Sequence, residues 1–132
     1  MARPRAERVP VRPFEIHVEH ELSALKAFRR ALDKWLQGRG LPDPPRAGIV
    51  LATHEALANA IEHSNSAKPI HIKAEAHGDG FVIEITDDGQ WKVPETPRVE
   101  RGRGLRLIKA LVSDVQISSQ QTGTTVRLFQ QF

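Results

Sequence analysis

Apolar and polar residues recur along this chain at spacings that predict a strand followed by two helices. Phe14, Ile16 and Val18 alternate with charged or polar residues, which is typical of a half-buried strand. Apolar residues three and four positions apart then predict a helix over residues 21–37, which ends at the glycines and prolines that follow it. The same spacing predicts a second helix over residues 46–63, closed by a turn-forming Ser-Asn-Ser run.

The second half of the chain is predicted to hold two hairpins. The first joins strands over residues 70–77 and 81–85 through a Gly-Asp-Gly turn, and the second joins residues 115–117 and 125–129 through a Thr-Gly turn. Between the hairpins, residues 87–102 show little periodicity and are predicted to be a loop that leads into a short helix.

The predicted order β-α-α-β-β-α-β-β defines the fold class. Hairpins require antiparallel pairing, and the helices must cover one face of the sheet to bury their apolar sides. We therefore expect a two-layer α/β sandwich, an α+β fold with a mixed, mostly antiparallel sheet covered on one face by helices. No glycine-rich turn follows the first strand, which argues against a doubly wound dinucleotide-binding fold.

The composition is that of one globular domain. The chain has 132 residues, of which 39% are hydrophobic and 27% charged, so we assign residues 13–132 to one domain and the Arg- and Pro-rich residues 1–12 to a flexible arm. The absence of cysteine excludes disulfides, a thiol nucleophile and thiolate metal sites. No apolar run reaches the roughly 20 residues of a membrane span, and no signal-peptide core follows the arm. We expect a cytoplasmic protein with no membrane partner.

Charge is distributed unevenly along the chain. Residues 50–90 hold seven acidic side chains against two lysines, whereas arginines crowd the arm and residues 98–109. An acidic centre with basic flanks suits a metal–phosphate ligand better than a long polyanion. We therefore expect no direct binding to nucleic acid, for which a DNA affinity that falls steeply with salt would be the signature.

The first candidate site is a polar face of the second helix. Glu55, Asn59 and His63 are spaced four residues apart and so lie on one side of that helix. An Asn oxygen is a ligand suited to Mg²⁺, and a neighbouring Glu can act as a general base or position a water. A polar stripe that simply faces solvent would have the same spacing.

Three further candidate segments lie in the second half of the chain. Asp87-Asp88-Gly89 follows a strand, where a carboxylate could point into a cleft and accept the proton of an exocyclic amine. Arg101-Gly102-Arg103-Gly104-Leu105 precedes a helix, where backbone N–H groups and arginines favour phosphate. Gly123-Thr124-Thr125 could place a hydroxyl beside Asp87. Taken alone, each segment is also compatible with an ordinary turn, helix start or strand start.

In this order and spacing, the four segments together resemble the motifs of the histidine-kinase-like ATPase superfamily, which includes gyrase, heat-shock chaperone, histidine kinase and MutL relatives. EALANAIEH (55–63) resembles the N box, DDG (87–89) and GRGLRLI (102–108) the two glycine boxes, and GTTVRL (123–128) the closing strand. The short chain is most similar to the anti-sigma factor serine kinases of bacterial sporulation and stress pathways. Those proteins bind a sigma factor and phosphorylate a serine on a small anti-anti-sigma partner of the STAS fold.

The resemblance implies a Bergerat-type ATP-binding fold, ATP and Mg²⁺ as cofactors, and it is compatible with a homodimer. Glu55 matches the catalytic glutamate, Asn59 the Mg²⁺ ligand and His63 the end of the N box. Asp87 matches the aspartate that hydrogen-bonds the adenine amino group. The other implied nucleotide-binding positions are Gly89 in the first glycine box, Gly102, Gly104 and Leu105 around the phosphates, Arg101 and Arg103 at the C-terminal end of the lid, whose main span is residues 91–101, and Thr124 or Thr125 near the adenine.

One position departs from the family pattern. The first glycine box expects Asp-x-Gly-x-Gly, and Trp91 stands where the second glycine is expected. A tryptophan there could stack on the base, cap the pocket or obstruct it. Two functions stay open from the sequence: an ATP-dependent protein serine kinase that switches sequestration of a sigma factor, and a non-catalytic or weakly nucleotide-binding interaction module of the same fold.

Overall fold

The computed structural model of the chain describes residues 12–63, 68–89, 106–120 and 123–131, except for the side chains of His63 and Gln120. The predicted lid therefore lies outside the described residues, as does the predicted arm apart from Arg12. The carbonyl oxygen of Arg12 accepts a hydrogen bond of 3.1 Å from the Trp35 indole. The assignment of residues 1–12 to a flexible arm stays a prediction.

The described helices and strands follow the predicted order. They are β1 (Phe14–Val18), α1 (Ala24–Gly38), α2 (Pro45–His63), β2 (Ile70–His77), β3 (Gly80–Asp87), a helical segment α3 over residues 106–111, β4 (Asp114–Gln120) and β5 (Gly123–Gln131). Helix α1 begins slightly later than predicted, because the preceding residues form a turn in which the Ala24 N–H donates to the Glu21 carbonyl.

The five described strands form one sheet in the order β1-β2-β3-β5-β4. Every pairing between them is antiparallel, so this part of the chain holds an antiparallel sheet where the sequence predicted a mixed, mostly antiparallel one. Both predicted hairpins are present as the β2–β3 and β4–β5 pairs. The predicted two-layer arrangement is confirmed, since α1 packs on β1 and on α2, which in turn packs on β3 and β5.

The apolar faces of sheet and helices meet in one core. The strands contribute Val18, Ile70, Ile72, Ala74, Phe81, Ile83, Ile85, Val126 and Leu128. The helices contribute Leu25, Phe28, Leu32, Leu36, Ile49, Ala52, Ala56, Leu57, Ala60 and Ile108. Trp35 packs against this core edge-to-face on Phe81, with 5.6 Å between the ring centroids. Within the described ranges, no helix has the length and apolarity needed to cross a bilayer.

One end of the sheet collects the segments that carry the candidate residues. β1 ends at Val18, which pairs with Ile70 at the start of β2. β3 ends at Asp87, which pairs with Thr124 near the start of β5. Because neighbouring strands are antiparallel, the end of one strand and the start of its neighbour share an edge. We refer to this edge as the Asp87 end of the sheet.

Candidate functional site

A buried carboxylate, Asp87, forms the centre of the candidate site. It follows Ile83 and Ile85 on the inner face of β3, the face that the helices cover. Its Oδ1 accepts a hydrogen bond of 3.2 Å from the backbone N–H of Gly89, so the side chain closes its own turn. Its Oδ2 is also buried and has no hydrogen-bond partner among the described residues. A buried polar oxygen without a partner costs free energy, and this atom can accept a hydrogen bond from a ligand.

The hydroxyl of Thr124 fixes the turn that holds Asp87. Thr124 is buried and donates a hydrogen bond of 3.1 Å to the Gly89 carbonyl. Its oxygen lies 3.3 Å from the hydroxyl of Ser119 at the end of β4. The next residue, Thr125, pairs with Thr86 and lies on the opposite face of the sheet, since successive strand residues alternate. Of the two predicted threonines, the structure therefore brings Thr124, and not Thr125, to Asp87.

Gly123 allows the start of β5 to approach the Asp87 turn closely. Its φ of +147° is one that side-chain-bearing residues rarely adopt. A Cβ at this position would collide with the Asp87 carbonyl oxygen and lie 2.8 Å from the Cα of Asp88. The glycine of the Gly-Thr-Thr run is therefore required by the packing of the site itself.

Helix α2 carries the second part of the predicted site and packs against the strands that hold Asp87 and Thr124. Glu55 and Asn59 are one turn apart on α2, and both are half-buried. A polar stripe that simply faced solvent would leave both side chains exposed. Their partial burial places them at the border between the core face of α2 and its surface, as expected of side chains that line a cleft.

His54, the residue before Glu55, is held towards its neutral form. Burial lowers the pKa of His54, the nearby Arg29 lowers it further, and the carboxylate of Glu55 opposes the shift. A neutral His54 places no cation beside Glu55.

Asn59 is the side chain for which the sequence predicts a role as a Mg²⁺ ligand. No cluster of three or more His, Asp or Glu side chains in the described part of the chain could hold a metal ion. Mg²⁺ on a nucleotide is usually held by one or two protein ligands, with phosphates and waters completing its octahedron. A single amide oxygen, that of Asn59, is compatible with that arrangement.

Several predicted site residues lie outside the described residues, and their roles stay predictions. They are Trp91, Arg101, Gly102, Arg103, Gly104, Leu105 and the side chain of His63. The described residues bring Asp87, Gly89 and Thr124 into direct contact, with Glu55 and Asn59 on the helix that covers their strands.

The sequence did not identify two side chains at the Asp87 end of the sheet. Ser119 contacts Thr124 across the β4–β5 hairpin, and the short turn between these strands is the signal that could have placed it there. His20 lies 4.0 Å from Asp87 Oδ1 and 2.9 Å from the Lys68 carbonyl oxygen, both measured from its Nε2. No local pattern predicts the contact of His20, because it depends on how distant strands pair.

Comparison with known proteins gives the same architecture. Residues 18–129 match the family model described as the histidine kinase-like ATPase domain. A solved structure of the RsbU and RsbW domains of Rv1364c from Mycobacterium tuberculosis matches with a TM-score of 0.77 and 30% sequence identity. The match covers 94% of this chain but only 33% of the M. tuberculosis chain.

Two histidine kinases match at lower identity. The histidine kinase domain of the blue-light activated kinase from Erythrobacter litoralis EL346 has a TM-score of 0.58 and 19% identity, over 86% of this chain and 61% of that one. The Acinetobacter baumannii histidine kinase AdeS has a TM-score of 0.57 and 19% identity, over 91% of this chain and 68% of that one. Both are similar to this chain in fold.

Proposed function

We propose, because the chain belongs to the histidine kinase-like ATPase domain family, that it is an ATP-dependent protein serine kinase of the anti-sigma type. In this function it binds Mg-ATP and phosphorylates a serine of a STAS-type anti-anti-sigma partner, which switches sequestration of a sigma factor. The resemblance of the motifs to the anti-sigma factor serine kinases supports this proposal, as does the match to the RsbU and RsbW domains of the M. tuberculosis protein.

The observation that carries the proposal is the uncommitted oxygen of Asp87. Adenine presents an exocyclic amine, which is a hydrogen-bond donor, and Asp87 Oδ2 is a buried acceptor without a partner among the described residues. The Gly89 N–H donates to the other oxygen of Asp87, and Thr124 in turn holds Gly89 by donating to its carbonyl, so the orientation of the carboxylate is set before a ligand arrives. A preorganised acceptor of this kind selects a base with an amine over one with a carbonyl at the same position.

The residues of α2 suit the phosphate end of the nucleotide. Asn59 supplies an amide oxygen for Mg²⁺, and that ion, when bound, neutralises charge on the phosphates. Glu55, one turn earlier, orients or deprotonates the incoming serine hydroxyl. Arg101 and Arg103 would add positive charge near the terminal phosphate from the predicted lid. Phosphoryl transfer needs mainly this positioning and charge stabilisation.

The partners follow from the same proposal. The chain would bind a sigma factor and a STAS-domain protein in the cytoplasm, and a homodimer is part of the proposal by family resemblance. The alternative function is a binding module of the same fold, in which Trp91 reduces or abolishes nucleotide turnover. That module would bind its partner equally well with and without Mg-ATP and would leave no phosphoserine on it.

A phosphotransfer assay tests the catalytic assignment. The purified chain is mixed with Mg-ATP and candidate STAS-domain proteins, and phosphoserine is detected by mass spectrometry. We expect Glu55→Ala to abolish phosphotransfer while leaving much of the nucleotide binding, because Glu55 acts on the serine and not on the nucleotide. Glu62→Ala, an exposed glutamate on the same helix, is the matched control and should retain transfer.

The outcomes of this assay separate the two functions. Phosphorylation of a STAS partner by the unmodified chain ends the binding-module alternative. Undiminished transfer by Glu55→Ala would remove the role assigned to Glu55. Partner binding that is independent of Mg-ATP, with no phosphoserine formed, would contradict the kinase proposal.

A further inference from the structure

A histidine that belongs to none of the motifs lies against the carboxylate of Asp87. His20 is in the turn between β1 and α1, and its side chain is only 17% exposed. Its Nε2 is 4.0 Å from Asp87 Oδ1, and its hydrogen bond to the Lys68 carbonyl oxygen is 2.9 Å long. Three separate segments of the chain therefore meet at this one imidazole.

The strand register explains why His20 is there. The last pair of the β1–β2 ladder is Val18 with Ile70, so continuing that register for two residues places His20 opposite Lys68. Strand alternation extended by two residues from the buried Val18 leads to the inner face, on which Asp87 also lies. Beyond the last backbone pair, the imidazole supplies a further hydrogen bond between the two segments.

The contacts of His20 determine which oxygen of Asp87 remains available. A carbonyl oxygen can only accept, so Nε2 of His20 carries the proton in its bond to Lys68. That nitrogen and the N–H of Gly89 both lie on the Oδ1 side of Asp87. Oδ2 is left as the oxygen of Asp87 without a hydrogen-bond partner among the described residues.

The segment that precedes β2 has a second, weaker contact with the Asp87 end of the sheet. The ammonium of Lys68 lies 3.6 Å from Asp88 Oδ2, and the lysine side chain is 81% exposed. Exposed ion pairs of this kind contribute little to stability. The largely buried His20 is therefore the firmer attachment of the segment before β2 to the Asp87 end of the sheet.

We propose that His20 is a positioning residue for recognition of the adenine base. It holds the backbone at Lys68 as a wall beside the base and closes the Oδ1 side of Asp87, so that only Oδ2 faces the exocyclic amine. This inference rests on the proposed function, since it requires that Asp87 binds adenine. It adds a residue from the β1–α1 turn to the determinants of base specificity.

The test compares ADP with IDP, which carries a carbonyl in place of the adenine amine. Affinities of both nucleotides are measured by calorimetry for the unmodified chain, His20→Leu and His20→Gln. We expect His20→Leu to bind ADP about tenfold more weakly, with a smaller change for IDP, so that the preference for ADP falls. His20→Gln keeps an amide donor near the position of Nε2 and should retain most of the preference.

The ratio of the ADP and IDP affinities distinguishes a positioning role from general structural damage. Structural damage would lower the affinity for both nucleotides by the same factor. His77→Gln, an exposed histidine at the other end of β2, is the matched control and should leave the ratio unchanged. If His20→Leu does not fold, His20→Asn replaces it, because its shorter amide does not reach the position of Nε2.

The outcomes distinguish this inference from the proposed function. An unmodified chain that prefers ADP, with the same preference in the His20→Leu or His20→Asn variant, would overturn the role of His20 and leave the proposed function intact. An unmodified chain that binds neither nucleotide would overturn the proposed function and this inference with it. Loss of the preference in the Leu or Asn variant, with retention in His20→Gln, supports the inference.

Discussion

At the scale of single residues, the two oxygens of Asp87 have different roles. Oδ1 accepts a hydrogen bond from the Gly89 N–H, whereas Oδ2 is buried and has no hydrogen-bond partner among the described residues. Folded proteins rarely leave a buried carboxylate oxygen unsatisfied, because the desolvation cost is not repaid. Under the proposed function a ligand supplies the missing hydrogen bond, and the exocyclic amine of adenine is a donor of the required kind.

A different carboxylate, Glu15, gives a prediction about pH. Glu15 Oε1 lies 2.7 Å from His71 Nε2 on the exposed face of the sheet, and this hydrogen bond lowers the pKa of Glu15 below its ordinary value of 4.5. The folded state therefore releases this proton more readily than the unfolded state does. The stabilisation is present above pH 4.5 and is lost as the pH falls through the lowered pKa.

We therefore expect Glu15→Gln to reduce the dependence of stability on pH in the acidic interval below pH 4.5. Urea unfolding midpoints across that interval measure the effect, which should be small because both side chains are partly exposed. Glu75→Gln, an exposed change on the neighbouring strand, is the control. An identical pH dependence in Glu15→Gln and the unmodified chain would show that the hydrogen bond contributes nothing in solution.

At the scale of helices and strands, the β4–β5 hairpin supports the site through Gly123. This glycine starts β5 at a φ that favours glycine, and the Asp87 turn packs where its side chain would be. The same strand then presents Thr124 to Gly89. The position of the carboxylate thus depends on the start of a strand that follows it by more than thirty residues.

Gly123→Ala should therefore affect both stability and the site. We expect the free energy of unfolding to fall by about 1–3 kcal/mol, because the added Cβ meets backbone atoms that cannot rotate away. Gly38→Ala at the end of α1 is the matched control, since a Cβ there meets nothing within 4 Å. Equal unfolding free energies for the two alanine variants, measured in urea, would contradict this description of the hairpin.

The sequence predicted these elements well because their signals are local. The Gly-Asp-Gly turn indicated the β2–β3 hairpin, and three- and four-residue spacing indicated α1 and α2. The sheet order was not predicted, since β1–β2 and β3–β5 pair segments that are distant in the chain. The contact of His20 with Lys68 spans 48 residues and depends on that pairing. Similarly, a motif was enough to predict Asp87 and Thr124 as site residues. Only the packing of the fold shows that Asp87 Oδ2 has no hydrogen-bond partner among the described residues.

At the scale of the whole molecule, antiparallel pairing gathers Asp87, Thr124 and His20 at one end of the sheet. Asp87 ends β3, Thr124 lies near the start of β5, and the turn carrying His20 follows β1. Helix α2 covers β3 and β5 and carries Glu55 and Asn59. Residues that are far apart in the chain are therefore brought together by the pairing of the strands, and the proposed nucleotide site depends on that arrangement.

The most direct test of nucleotide binding at this end of the sheet is a calorimetric titration with ATP, with and without Mg²⁺. The unmodified chain is compared with Asn59→Ala and with Asp87→Asn, a change that preserves side-chain size. We predict binding that depends on Mg²⁺, a loss of that dependence in Asn59→Ala, and an affinity at least about tenfold weaker in Asp87→Asn. Absence of binding at millimolar ATP, or equal affinities in all three proteins, would contradict the assignment of this end of the sheet as a nucleotide site.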